Sequence, residues 1–175
     1  MISYESNYRT VPKSRKDIRN IAKALRDELG IPQGQLYVDI TKVLELMCDA
    51  EPAFSFEVVD DNVLEKNVQA QSDIDKHTIF IKESVYIGAI HNCGRDRMSI
   101  AHEIFHILLH QRNTLVLYSR EEGTLKRYEN PEWQAECFAG EFLMPYSQIK
   151  TMDKDDIINK CKVSERAANY QLTHI

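Results

Sequence analysis

Ala101-His102-Glu103-Ile104-Phe105-His106-Ile107-Leu108-Leu109-His110 is the stretch that decides how the chain is read. It holds an H-E-x-x-H core inside an apolar segment, and with its flank from Arg95 it is long enough for a helix. Residues four apart share one helix face, so His102 and His106 present their imidazoles to a single point. Two neutral imidazoles bind zinc there, and Glu103 stands over the open coordination position as general base. The competing reading is a buried helix with two hydrogen-bonded histidines and a solvated glutamate. Burying two polar rings side by side costs free energy unless both are bonded, and a metal removes that cost. The motif by itself is short, so the surrounding chain has to supply the rest of a site.

A catalytic zinc takes three protein ligands and keeps a fourth position open. The best source of the third is the segment opening at Asn130-Pro131, an N-cap followed by proline at the first helical position. Glu132 and Glu136 lie four apart on one face of that helix, and Ala135 and Ala139 beside them allow close approach. Trp133, Phe138, Phe142 and Leu143 suit the core. Either glutamate can ligate while the other accepts a hydrogen bond from the outer nitrogen of a ligand histidine. Two glutamates on a helix are ordinarily a solvated face, but this helix is otherwise apolar from Trp133 to Leu143. Tyr118, Tyr128 and His91 are the candidates for a second oxyanion donor. His110 is better placed to cap the helix C-terminus.

The flanking chain alternates between two periods. Residues 1–13 are polar and are expected to lie loosely over the surface. Ser14 caps a helix carrying Ile18, Ile21, Ala22, Leu25 and Leu29, which Gly30 and Pro32 stop. A second helix runs from about Asp39 to Met47. Phe54, Phe56 and Val58 then alternate with polar residues as a strand. Val68–Ser72 and His77–Lys82 are two further strands joined by the turn chemistry of Ser72-Asp73-Ile74-Asp75-Lys76, which makes them a hairpin. Thr114–Tyr118 is a strand or extended loop. Two short helical patterns follow Asp153, one marked by Ile157, Ile158 and Cys161, the other capped by Ser164.

At 175 residues the chain can bury a core without disulfide staples. Its net charge of −5 provides no global basic field for nucleic acid or anionic lipid. No apolar run spans a bilayer and no export signal opens the chain, so a cytoplasmic protein is expected. Cys48, Cys93, Cys137 and Cys161 form no C-x-x-C pair and are expected as free thiols rather than metal ligands.

H-E-I-F-H-I-L-L-H followed by P-E-W-Q-A-E-C-F-A-G-E-F-L-M-P strongly resembles the ImmA/IrrE family of zinc metallopeptidases. The resemblance runs from about Asp39 to Leu172 and includes the ending Val163-Ser164-Glu165-Arg166-Ala167. It implies an α+β, zincin-like minimal metallopeptidase of gluzincin type. A small mixed or antiparallel sheet of three to four strands packs on the H-E-x-x-H helix and a second ligand-bearing helix, and a short helical tail follows. Residues 1–152 form the peptidase domain, and 153–175 a small helix-turn-helix-like appendage packed on it. In the family pattern the helix ending in L-M-P brings the third ligand, and the glutamate thirteen residues before that proline is Glu132. The metal set implied is His102, His106 and Glu132, with Glu136 behind it, although the pattern has Asn or Asp at that position. Gln171 stands where an arginine is expected.

The implied activity is zinc-dependent endopeptidase cleavage of a protein regulator, a helix-turn-helix repressor of the kind found on mobile elements or in stress responses. Substrate is expected as an extended strand on a free sheet edge, either Val68–Ser72 or His77–Lys82. The alternative is a non-proteolytic zinc protein that regulates by binding a partner or DNA. Glu103 argues for the enzyme, because a binding module needs no general base. Direct nucleic-acid binding is not expected, because acids interleave Lys154, Lys160, Lys162 and Arg166 in the tail.

Overall fold

The computed structural model describes residues 7–110, 113–117 and 125–174. Its first helix, α1 (Arg15–Glu28), begins where local chemistry directs it. Ser14 Oγ accepts from the Asp17 amide, and the Asp17 carboxylate accepts from the Ser14 amide, so two orphan donors are satisfied reciprocally. Asp39 likewise caps α2 (Ile40–Ala50), its side chain accepting from the Thr41 and Lys42 amides.

Three strands follow: β2 (Ser55–Val59), β3 (Ala70–Asp73) and β4 (Thr78–Lys82). They lie in the order β2-β4-β3, with β4 parallel to β2 and antiparallel to β3. The β3–β4 hairpin is the one expected from the sequence. Because β4 is paired on both sides, His77–Lys82 is not a free edge; β3 is one edge of the sheet, and among the described residues it pairs with β4 alone. Ile79 and Ile81 of β4 are fully buried and belong to the main core.

Helix α3 (Glu83–Ile90) leads directly from β4 and was not anticipated. Helix α4 (Gly94–Leu109) carries the H-E-x-x-H segment and buries Ile100, Ala101, Ile104, Phe105 and Ile107. It packs against the sheet through β3 and β4 and against α5 (Pro131–Leu143). In α5, Ala135, Phe138, Ala139, Phe142 and Leu143 have no exposed surface, and Phe138 lies 4.9 Å from Phe105 between ring centroids. Each such phenylalanine or leucine contributes about 1.5–3 kcal/mol of transfer free energy, which makes α4–α5 the packed centre of the molecule. The short α6 (Tyr146–Ile149), then α7 (Lys154–Cys161) and α8 (Glu165–Thr173), complete the chain. Ile157, Cys161, Val163 and Ala168 join the same cluster of buried residues as α4 and α5.

The N-terminal segment departs from its expected looseness. Tyr8–Arg9 forms β1, paired antiparallel with β5 (Val116–Leu117). Thr10 is buried and its amide donates to the Glu129 carbonyl, while the Lys13 amide donates to the Tyr128 carbonyl. Backbone pairing to distant residues holds this stretch, and polar composition does not reveal it. All four cysteines are free thiols. No helix among the described residues is long and apolar enough to cross a membrane.

Candidate metal centre

Asn130 sets the start of α5 by accepting from the Glu132 and Trp133 amides, and Pro131 occupies the first helical position. This start aims Glu132 at the face of α4 that carries the two histidines. His102 Nε2 lies 3.0 Å from His106 Nε2 and 3.1 Å from Glu132 Oε2, and His106 Nε2 lies 3.6 Å from Glu132 Oε1. One ligand atom from each of the three residues falls within 4.8 Å of the others. Glu136, one turn further along α5, faces the opposite nitrogen: its Oε2 is 3.7 Å from His102 Nδ1. The two glutamates that the sequence leaves interchangeable therefore occupy different sides of the same imidazole.

This donor set fits a divalent metal. Two imidazole nitrogens and a carboxylate oxygen converge on one point, the combination and number that a catalytic zinc-type site uses. Burial opposes charge on His102, but hydrogen bonds to Glu132 and Glu136 and the charge of Glu103 outweigh it, raising the imidazole to about 10. Burial also opposes charge on Glu132, but its hydrogen bond with His102 and the neighbouring His106 outweigh that and hold it well below the usual carboxylate range. Protons and a metal cation compete for such a donor set.

Glu103 lies on the cleft side. Its Oε2 accepts from the Ser72 amide at 2.8 Å and from the Ser72 hydroxyl at 2.7 Å, which fastens the carboxylate to edge strand β3. A cavity of about 460 Å³ opens beside it, lined by His102, Glu103 and Glu136, by residues 67–70 leading into β3, and by Arg166 and Tyr170 of α8. A second concavity of about 590 Å³ lies at the other end of β3, between Ser72, Asp73 and Phe80 and the β1–β5 pair.

Two of the expected oxyanion donors, Tyr128 and His91, do not line this cleft. Tyr128 sits on a 3-10 turn (Arg127–Glu129), is 42% exposed and does not line the cleft. His91 is exposed at the C-terminus of α3, also away from the cleft, because the unanticipated helix α3 turns it outward. Tyr118 lies outside the described residues. His110 does occupy the C-cap position of α4, but its ring is fully buried between His106 and Gln134 instead of closing the helix end. Sequence reasoning missed Ser72, Gln134 and the inward role of His110. Ser72 and Gln134 carry no periodic or motif signal, whereas the four-residue step from His106 to His110 was visible.

A sequence model of the IrrE N-terminal-like domain, a peptidase family, matches residues 59–173. The chain belongs to that family. The matched span takes in β3, β4, both site helices and the helical tail, so the converging triad lies wholly within the IrrE-like region. The IrrE-like fold is also that of a Mycobacterium tuberculosis transcriptional regulator, with a TM-score of 0.61 at 18% sequence identity. The similarity covers 90% of this chain and 46% of the other, so the chain spans about half of that protein's length. No curated protein sequence matches the chain.

Proposed function

We propose that the chain is a zinc-dependent endopeptidase that cleaves a protein regulator. The observation that carries this reading is the convergence of His102 Nε2, His106 Nε2 and the Glu132 carboxylate, with Glu103 on the same cleft. In this reading His102, His106 and Glu132 hold the metal, and Glu136 orients His102 from its outer nitrogen. A bound zinc supplies Lewis-acid polarisation of the scissile carbonyl and lowers the pKa of water to about 7. Glu103 takes the proton from the attacking water and returns it to the leaving amine. Ser72 positions that carboxylate while β3 offers its open edge to the substrate. An extended peptide added antiparallel to β3 passes Ser72, and hence Glu103, between the two concavities.

Family resemblance supports a helix-turn-helix transcriptional regulator as substrate, met in the cytoplasm, and the name of the structural neighbour accords with a regulatory setting. The test is to identify the neighbouring gene and, where it encodes a helix-turn-helix regulator, to co-express the two and run a cleavage assay. Glu103→Gln is expected to lower cleavage at least about 100-fold while zinc content and melting temperature stay at wild-type values. Wild-type cleavage by Glu103→Gln overturns the assignment of the base. Full biological activity without any cleavage favours the non-proteolytic binding reading instead.

A further inference from the structure

His106 Nε2 can bind a metal only if the ring's single proton sits on Nδ1. The structure contains a chain of hydrogen bonds that sets this. It begins at Gln134, which is fully buried in α5. The Gln134 Nε2 donates to two backbone carbonyls, Val11 at 2.9 Å and Tyr128 at 2.7 Å. Carbonyl oxygens only accept, so the amide has one orientation and its Oε1 points the other way.

Gln134 Oε1 lies 3.1 Å from His110 Nε2, and an amide oxygen only accepts, so the proton of His110 is on Nε2. His110 is fully buried; its ring nitrogens meet Gln134 and His106, and the edge of Phe105 packs on its ring at 5.1 Å. A charge on this ring would be buried with only an amide oxygen and another imidazole against its nitrogens, so the ring is neutral and its Nδ1 carries a lone pair. That Nδ1 is 2.7 Å from His106 Nδ1. Of two nitrogens at that distance one must donate, and His110 has no proton left there.

We infer that Gln134 and His110 form a tautomer relay that keeps the His106 proton on Nδ1 and its Nε2 lone pair aimed at the metal position. His110 is a positioning residue, acting through His106. The relay also explains why 7–13 is tied down: the Val11 carbonyl is one of the two groups that orient Gln134. This inference rests on the reading of His106 as a metal ligand, and its test separates the two.

Metal-free wild-type protein with 15N-labelled histidine is examined by long-range proton–nitrogen correlation. The relay predicts His106 as the Nδ1–H tautomer and His110 as the Nε2–H tautomer; His106 protonated on Nε2 overturns it. Zinc affinity is then measured by competition with a chelator. His110→Leu is expected to bind zinc about 10–100-fold more weakly, and His110→Asn, whose amide oxygen replaces the Nδ1 acceptor, to recover most of the loss. Wild-type affinity in His110→Leu overturns the relay. The wild-type spectrum needs no variant and decides the case if His110→Leu does not fold. A wild type that takes up no zinc overturns the metal reading, separately from the tautomer spectrum.

Discussion

Glu141 has no exposed side-chain surface, yet it carries a charge into the core of α5. Arg19 of α1 meets it with two hydrogen bonds of 3.0 Å, and Arg15 stands 3.7 Å away. A buried carboxylate is tolerated only when paired in this way. Gln171, in place of the arginine the family resemblance leads one to expect, accepts from Arg15 and donates to the Met144 carbonyl. The cationic partners of Glu141 thus come from α1. Arg19→Ala is expected to cost about 3 kcal/mol, because it leaves a buried carboxylate with only the more distant Arg15 as its cation. Glu141→Gln should cost less, since Arg19 can turn to water; equal losses in chemical denaturation contradict this account. The thiols separate by the same logic of burial. Burial pushes Cys137 up to about 12 and Cys161 up to about 11, while Cys93 is exposed. A thiol reagent should therefore modify Cys93 in the native protein, and Cys137 and Cys161 only on unfolding.

Among the elements, those with chemical signposts were legible from sequence. Ser14 with Asp17, Asp39, and Asn130 with Pro131 each mark a helix start that the structure retains. Alternation marked β2, the turn residues between Ser72 and Lys76 set off β3 and β4 as a hairpin, the H-E-x-x-H segment marked α4, and Asn130-Pro131 marked α5. The parallel pairing of β2 with β4 was not legible, because alternation shows which face a side chain takes and not which strand lies alongside. Helix α3 was missed because it has no side-chain N-cap and no polar face, and Gly88 breaks its pattern. Gly88 is there for contact: a Cβ on it would lie 2.0 Å from the Asp96 carboxylate of α4. The histidine pair was readable through i,i+4 spacing and Glu132 only through the family pattern, because spacing leaves it interchangeable with Glu136; Ser72 and Gln134 reach the site across folds of the chain.

Asp39 gives the cap a pH dependence. Burial raises its pKa, but hydrogen bonds from Thr41 and Lys42 outweigh that and hold it below its usual value. With the folded value depressed, the cap stabilises above the unfolded pKa near 3.9 and loses that contribution as pH falls through the folded value. Thermal melts of wild type and Asp39→Asn should therefore differ at pH 7, with wild type higher, and the gap should narrow as pH falls below about 3.9. A gap that stays constant as the pH is lowered contradicts this.

At the scale of the molecule, the tail is held to the metal-centre helix by a close approach. A Cβ on Gly94 would lie 2.5 Å from the Ser164 nitrogen and 2.6 Å from the Val163 carbonyl carbon. Those are backbone atoms that cannot turn aside. Buried Arg97 adds a bond from α4 to the Cys161 carbonyl at 3.1 Å. Gly94→Ala is expected to cost about 1–3 kcal/mol and lower the melting temperature while zinc stoichiometry is retained. An unchanged melting temperature contradicts that packing. Because α8 contributes Arg166 and Tyr170 to the cleft, the same variant should also alter substrate turnover.

The central claim is that these layers exist to hold one metal between α4 and α5. X-ray absorption at the zinc edge, on protein given one equivalent of zinc, tests it most directly. The account predicts one zinc per chain with nitrogen and oxygen neighbours at about 2.0–2.2 Å, two of them imidazole, and loss of that signature in Glu132→Ala. No zinc uptake, or sulfur ligation by any of the four cysteines, would contradict it.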